Sequence, residues 1–394
     1  MPAPFTFAGC GMTGNTMQAT HIMDAVDAMH TADDADAFNP GDHSAAGPVP
    51  RQVRAYSGDP TATVIIPCFN EERFIERCLM SVLATEYPLD KLEILVIDGM
   101  STDNTREILA RLAASHPQIR VVDNPRRIKP VALNLGIEEA KGEIVIRLDA
   151  HASYPPNYIS RLIWYLICYD VDNVGGVRRN LPASQSFTAR TLARLLTHWF
   201  GVGDAKHYTG VPRPSYTNIV FLFCVRRALF DEVGGFHEAL IRGQDREFNL
   251  RMASLGKRMM LVPDVTSDYY ARDSLAKFAG WAIEGGATPF RINRYASVQT
   301  VSFRNLIPPA FVVALAGTAL LGFVQPIFWW LAALILAAYA SVAVYSAAQI
   351  ALREKDVRFL FAMPVAFFAW HVFYGLGALK AIVEPMLGAR SKSA

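Results

Sequence analysis

Between Thr61 and Asp149 the chain alternates short β-branched runs with helical segments. Ala62 to Ile66 and Leu92 to Ile97 are continuous apolar runs, which read as buried strands. Ile119 to Val122 and Ile144 to Leu148 are two more. Between the first two, Phe74, Ile75, Cys78, Leu79 and Val82 recur at helical spacing, on a helix expected to open at Asn70-Glu71-Glu72. Ser101-Thr102-Asp103 reads as a helix cap ahead of Ile108, Leu109 and Leu112, and Pro130 to Ala140 reads as a further helix. Strands that alternate with helices need right-handed crossovers, so the expected fold is α/β with a mostly parallel, Rossmann-like sheet and helices on both faces. Ligands of such sheets bind beyond the carboxyl ends of the strands. Asn70, Asp98 and Asp149 all fall at such ends.

After Arg304 the character changes. Leu306 to Phe323, Ile327 to Ala351 and Phe359 to Val383 are apolar stretches, each long enough for a hydrocarbon core of roughly 30 Å. They account for a hydrophobic share of 52% and a mean hydropathy of +0.19 in the whole chain. Pro308-Pro309 is expected to bend the first stretch, and Trp329-Trp330 marks one end of the second. The third carries His371 and Lys380, which suits a helix lying in the membrane interface. Arg291, Arg294 and Arg304 precede the first stretch, and Arg353, Lys355 and Arg358 separate the second from the third. The positive-inside rule therefore puts the catalytic side and this second loop in the cytosol. Three full crossings would leave Arg390 and Lys392 outside, so either the first or the third stretch is expected to be interfacial. The expected organisation is a leader at 1–60, an α/β domain at 61–304 and a membrane region of two to three apolar helices at 305–394.

The leader is small, polar and acidic at Asp33, Asp34 and Asp36, and is expected to be disordered. It lacks the basic start and apolar stretch of a secretory signal. With 38 Lys plus Arg against 36 Asp plus Glu, the net charge of +2 gives no electrostatic reason to expect a nucleic-acid partner. Cys10, Cys68, Cys78, Cys168 and Cys224 are odd in number and form no C-x-x-C pair, so buried reduced thiols are expected.

Three polar clusters carry candidate chemistry. Asp149-Ala150-His151 follows a buried strand, and residues two apart in extended chain share a side, so Asp149 and His151 suit one ligand, such as a divalent cation on a diphosphate. Asp98 stands directly off a strand end, where a carboxylate can accept from a base N–H or a ribose hydroxyl. Asp245 follows Gly243-Gln244 at the start of a helix, where the dipole suits a negative charge and a carboxylate within reach of a hydroxyl can act as general base.

In order along the chain stand P-C-F-N-E-E at Pro67 to Glu72, D-G-x-S-T-D at Asp98 to Asp103, R-L-D-A-H at Arg147 to His151, V-G-G-F at Val233 to Phe236 and Q-D-x-E-x-x-x-R at Gln244 to Arg251. This series resembles the family 2 glycosyltransferases with a GT-A fold, and within them the membrane-associated enzymes of exopolysaccharide assembly, of the succinoglycan type. The likeness runs from about Thr63 to Gly286, and H-x-x-Y-G-L-G at His371 to Gly377 adds to it. The resemblance implies that Asp98 contacts the nucleobase while Pro67 and Glu71 line the same nucleoside pocket. It implies that Asp149 holds ribose and metal, that His151 stands in place of the usual second acidic ligand, and that Asp245 is the base. Lys129 and Arg272 become candidates for the donor diphosphate. Gln244 replaces a Glu that is frequent in the family.

Imidazole ligates Mn²⁺ better than Mg²⁺, which favours Mn²⁺ here. The Q-x-x-R-W signature of processive members is missing near Trp281, which implies addition of single sugars. The implied activity is inverting transfer from a nucleotide sugar, with uridine as the family's usual base, to a lipid-linked glycan at the cytoplasmic (inner) membrane, alongside polysaccharide-assembly proteins. A polyprenyl phosphate acceptor is the alternative. Outside catalysis stand a membrane scaffold that keeps a nucleotide-binding fold and a transporter component. The presence of Asp149 and Asp245 argues against the scaffold, and the scarcity of polar groups in the apolar stretches argues against a transporter.

Overall fold

The computed structural model describes residues 54–182, 184–203, 205–271, 275–295 and 299–391. Strand β1 (Ala62–Cys68) leads through helix α1 (Ile75–Leu83) to β2 (Leu92–Asp98), α2 (Thr105–Ser115), β3 (Ile119–Asp123), α3 (Lys129–Glu139) and β4 (Ile144–Arg147). A short strand β5 (Ala152–Ser153) precedes α4 (Tyr158–Cys168) and β6 (Asn173–Pro182). Helix α5 (Phe187–Leu195) is followed by two single helical turns, at Trp199–Val202 and Lys206–Thr209, then β7 (Ser215–Tyr216) and β8 (Cys224–Arg226). After a turn at Leu229–Val233 come α6 (Gln244–Ser254), β9 (Met259–Ala271) and α7 (Leu275–Ile292). The chain ends in three long apolar helices, α8 (Phe303–Gly322), α9 (Ile327–Glu354) and α10 (Arg358–Ser391).

The strands form one sheet in the order β3-β2-β1-β4-β8-β6-β9-β5, with β7 paired to β9. β3, β2, β1 and β4 are parallel, as the alternation of strand and helix predicts. The second half is mixed, because β8 runs antiparallel to both β4 and β6 while β6 and β9 are parallel. The chain moves outward from β1 to β3 and then returns to lay β4 on the other side of β1. That reversal makes a crevice at the carboxyl ends of β1 and β4. One apolar core packs β1, β2 and β4 against α1, α2 and α4, and a second packs the opposite face against α3 and α6, so helices cover both faces.

Some local expectations shift. The segment from Asn70 does not open a helix, and α1 begins at Ile75. Asn70 adopts φ 53°, its amide donates to Ser101 Oγ at 2.9 Å, and its side-chain oxygen accepts from the Thr102 amide at 2.8 Å. The two turns after β1 and β2 are thus tied to each other before either helix starts. The first apolar helix, α8, runs through Pro308 and Pro309. Cys68, Cys78, Cys168 and Cys224 are buried and free; Cys10 and most of the expected leader, residues 1–53, lie outside the described residues.

A third apolar cluster joins the α/β domain to the apolar helices. Leu192 and Leu195 of α5 and Phe278 and Ala282 of α7 pack with Ala347 and Ile350 of α9 and with Phe359, Met363, Phe367 and Trp370 of α10. Small residues let α7 and α10 approach closely. A Cβ on Gly286 would lie 1.9 Å from the Tyr374 carbonyl, and one on Gly377 would lie 1.9 Å from the Ile283 carbonyl. Gly280, one face round on α7, has open space instead. Gly280→Ala should therefore raise stability by up to about 1 kcal/mol through helix propensity. Gly286→Ala should lower it by roughly 1–3 kcal/mol through overpacking. Thermal unfolding of the detergent-solubilised protein distinguishes the two, and equal shifts would contradict the close contact.

Candidate active site

The crevice between β1 and β4 gathers charged groups from five elements. Arg147, the last residue of β4, is 1% exposed. Its Nη2 donates to Asp149 Oδ1 at 2.9 Å, and its Nη1 donates to Asp245 Oδ1. One buried guanidinium therefore holds together the strand-end carboxylate and the carboxylate at the start of α6. Burial works against its charge, but Asp245 and Asp149 outweigh that cost and keep it protonated. Lys129, at the start of α3, donates to the same Asp149 oxygen at 2.9 Å. Burial also opposes charge on Asp149, yet Lys129 and Arg147 hold its carboxyl well below the usual carboxylate range. Both cations take Oδ1, and Oδ2 has no hydrogen-bond partner among the described residues. The Asp245 side chain keeps 31% of its surface exposed against 4% for Asp149, so Asp245 faces the open side.

His151 stands next to this group. Its Nδ1 is 2.9 Å from Glu71 Oε1, and its Nε2 meets the Tyr269 hydroxyl on β9. A carboxylate only accepts, so Nδ1 donates to Glu71. Behind Tyr269 lies Arg178 of β6, itself buried, with its guanidinium 3.3 Å from the Tyr269 ring centroid and bonded to Asn180 Oδ1 at 2.7 Å. Glu71 is anchored from the other side by its amide, which donates to Thr105 Oγ1 at 2.8 Å.

Asp98 is fully buried at the end of β2, beside the end of β1. Its Oδ1 accepts from Ser101 Oγ at 2.6 Å, and its Oδ2 accepts from Arg106 Nη1 at 2.6 Å. Arg106 reaches on to Asp123 at 2.8 Å. The Ser101 amide also donates to Oδ2, at 3.1 Å, so the carboxylate expected to meet a base already holds three donors, although a carboxylate has capacity for further ones. Pro67 lies at the end of β1, one register position before the Cys68–Asp98 pair.

Residues 63–234 match the family model described as Glycosyl transferase family 2. This segment is a family 2 glycosyltransferase domain. The transferase is 28% identical over 298 residues to the succinoglycan biosynthesis protein ExoA of Rhizobium meliloti, spanning 75% of this chain and 87% of that one. It is 26% identical over 329 residues to the dolichyl N-acetyl-alpha-D-glucosaminyl phosphate 3-beta-D-2,3-diacetamido-2,3-dideoxy-beta-D-glucuronosyltransferase of Methanococcus voltae, spanning 82% and 97%. Among solved structures it resembles the mannosyltransferase PcManGT of Pyrobaculum calidifontis, in complex with GDP-Man and Mn²⁺, with a TM-score of 0.54 and 24% identity over 87% of this chain and 91% of that one. That likeness places the transferase sheet in the GT-A fold.

The crevice of the transferase joins Lys129, Asp149, Asp245 and, through Glu71, His151. Asp98 and Pro67 sit along the neighbouring strand ends. Arg272 lies outside the described residues. Arg147, Arg178 and Tyr269 are members of the site that the residue-by-residue reading did not select. Arg147 had a signal, since it stands two residues before Asp149 in extended chain, as His151 stands two after. Tyr269 had none and Arg178 only its charge, in the pair Arg178-Arg179, because the pairing of β6 with β9 is what brings them to the crevice.

No group of three or more His, Cys, Asp or Glu side chains is placed to hold a metal ion among the described residues. The donor set still fits a cation shared with a diphosphate, which takes one or two protein ligands and fills the rest from phosphate and water. Asp149 Oδ2 is unshared, and His151 carries the carboxylate-bound Nδ1 usual for a ligating imidazole. Tyr269 would have to yield Nε2.

Replacing Arg147 tests how far the pair of carboxylates depends on it. Arg147→Met leaves Asp149 buried with Lys129 alone and should cost about 3–5 kcal/mol. Adding Asp149→Asn should return part of that loss. The check is chemical denaturation of the single and double variants, and a single variant as stable as wild type would contradict the bridge.

Proposed function

We propose that this transferase moves one sugar at a time from a nucleotide sugar, with a uridine donor favoured, to a lipid-linked glycan in exopolysaccharide or cell-surface polysaccharide synthesis. The observation that carries the reading is the pairing of buried Asp149 and half-open Asp245 across Arg147, at the crevice where an α/β sheet binds its ligand. Residues 61–304 would form the catalytic domain and 305–394 the membrane region, with the catalytic domain on the cytosolic side of the cytoplasmic membrane. Similarity to a dolichyl-linked transferase and to a succinoglycan protein supports a lipid-linked acceptor and partners in polysaccharide assembly.

In this reading the acceptor oxygen attacks the anomeric carbon from the side opposite the leaving group. The bond from that carbon to the donor phosphate breaks, the nucleoside diphosphate leaves with the electron pair, and the configuration inverts. Asp245 takes the acceptor proton, and Arg147 holds its carboxylate in place through Oδ1. Lys129 would turn from Asp149 toward the diphosphate, a charge-assisted contact. Asp98, Pro67 and Glu71 would border the nucleoside. A divalent ion, with Mn²⁺ favoured over Mg²⁺, would be held by Asp149 and His151 and would supply positive charge to the diphosphate.

The test is turnover of a panel of nucleotide sugars by purified protein, with lipid extract, under Mn²⁺, Mg²⁺ or chelator. One donor should be consumed, and Asp245→Asn should lower the rate by roughly 10²–10⁴-fold with donor binding kept. A variant that turns over like wild type would remove Asp245 from the mechanism. The mass of the lipid product separates a glycan acceptor from a polyprenyl phosphate.

His151→Asp tests the metal assignment. It should shift the preference between Mn²⁺ and Mg²⁺ toward Mg²⁺. Mn²⁺ binding in the presence of nucleoside diphosphate, followed by electron paramagnetic resonance, should weaken in His151→Ala. Unchanged binding would free His151 from the ligand set.

A further inference from the structure

Among the described residues, three helices are long and apolar enough to cross a membrane: Phe303–Gly322, Ile327–Glu354 and Arg358–Glu384. Length and composition treat them alike, but α10 differs in where it is held. At its start, Phe359 packs on Phe187 of α5 with ring centroids 5.0 Å apart. The preceding turn is pinned there as well, by Arg194 to Glu354 at 2.7 Å and Arg190 to Asp356 at 3.2 Å. At its middle, Trp370 donates to the Gly201 carbonyl at 2.6 Å. The Tyr374 hydroxyl there accepts from Asn305 at 2.9 Å. Near its end, Glu384 accepts from Arg291 of α7 at 2.9 Å.

Helices α5 and α7 leave the same end of the sheet. The strands that precede them, β6 and β9, are paired in register up to Pro182 and Ala271. Both helices therefore lie on one side of any bilayer, and α10 touches both. A span cannot have its two ends on the same side.

The two faces of α10 agree with this. Phe359, Met363, Phe367, Trp370, Ala378 and Ala381 are buried and follow one another at steps of three, four or eight residues. Phe361, Val365, Phe368, Leu376 and Val383 are exposed large apolar residues at steps of four, three, eight and seven. Both sets keep helical period, so they form two apolar stripes on opposite sides of one helix. One stripe meets the catalytic domain, together with Ala347 and Ile350 of α9. The other has the composition of a lipid-facing surface and touches Phe311 of α8 and Tyr339 of α9 through Phe368, and the exposed residues of α8 and α9 are also apolar.

We infer that α10 lies in the plane of the membrane, clamped between the catalytic domain and lipid, so that only the α8–α9 hairpin enters the bilayer core. The stripe of Phe361, Val365, Phe368, Leu376 and Val383 is then a docking surface for a bilayer. The end of the chain stays on the catalytic side. With α10 in the plane, the C-terminal basic residues Arg390 and Lys392 no longer violate the positive-inside rule.

The experiment is a depth measurement on the full chain with Cys10 replaced by serine. Single cysteines at Phe361, Phe368, Leu376 and Val383 carry nitroxides after reconstitution into phosphatidylcholine–phosphatidylglycerol vesicles. Accessibility to oxygen against a nickel chelate reads their depth. All four should lie within about 5 Å of one another, near the headgroup boundary. A span would put Phe361 and Val383 about 33 Å apart along the bilayer normal, with the deepest label between them, and that profile would overturn the proposal. Should a label disturb packing, sidedness gives a second reading. A cysteine at the exposed Glu232 and one added after Ala394 should react with an impermeant maleimide from the same face of sealed vesicles. Reaction from opposite faces overturns the in-plane helix, whichever face the catalytic domain occupies and whatever sugar it transfers.

Discussion

Two carboxylates held by one buried guanidinium organise this molecule. Arg147 belongs to the parallel half of the sheet, and Asp245 to a helix that follows the mixed half. A buried arginine with a single partner would be costly, and so would two buried carboxylates without a cation. Bridging both pairs all three charges and ties the strand end to the start of α6, although Arg147 Nε is left without a partner among the described residues. The fork of the guanidinium matters, because a lysine offers a point charge and could not hold two separate carboxylates in one plane.

From this bridge the order of the structure runs outward to the membrane. Gly243, two residues before Asp245, adopts φ 80°, and a Cβ there would lie 2.5 Å from Thr288 and 2.3 Å from Ile292 of α7. The loop that presents Asp245 therefore rests directly on α7. The other face of α7 rests on α10 through the glycine contacts at Gly286 and Gly377. Four layers follow in sequence: carboxylate, loop, α7 and α10. Arg246 extends the link, donating to the Thr300 carbonyl at 2.7 Å just before α8 begins. A shift of the apolar helices would therefore be felt at Asp245.

The parallel strands and their polar ends could be read from the chain because their signal is local. Continuous β-branched runs followed by Asp98 and Asp149 need only neighbouring residues to be recognised. Asp245 was legible for the same reason, at a glycine before a helix. The start of α1 was misplaced, because Asn70 spends its side chain on the next turn rather than on a helix. Tyr269 was invisible, and Arg178 legible only as a charge, for a different reason. They reach the crevice through the pairing of β6 with β9, which joins segments about ninety residues apart. The apolar stretches were legible as membrane-seeking, and His371, Lys380 and the basic C-terminus narrowed the interfacial one to the first or the third. Composition cannot distinguish a helix surrounded by lipid from one with protein on one side, and only the neighbours of Phe359 and Glu384 draw that line.

The histidine at position 151 shows how one departure from a family pattern is absorbed by its surroundings. An acidic residue there would face Glu71, and two carboxylates at about 3 Å repel strongly unless a cation lies between them. Imidazole turns the same contact into a hydrogen bond, with Nδ1 toward Glu71 at 2.9 Å. It gives Tyr269 a partner as well, and Tyr269 in turn gives Arg178 a ring to lie on. Glu71, His151, Tyr269 and Arg178 thus form a chain from β1 to β6 in which each group is satisfied by the next. The site keeps one carboxylate fewer than a pair of acids would give. Nε2 is already met by a hydroxyl, whereas Asp149 Oδ2 has no hydrogen-bond partner among the described residues.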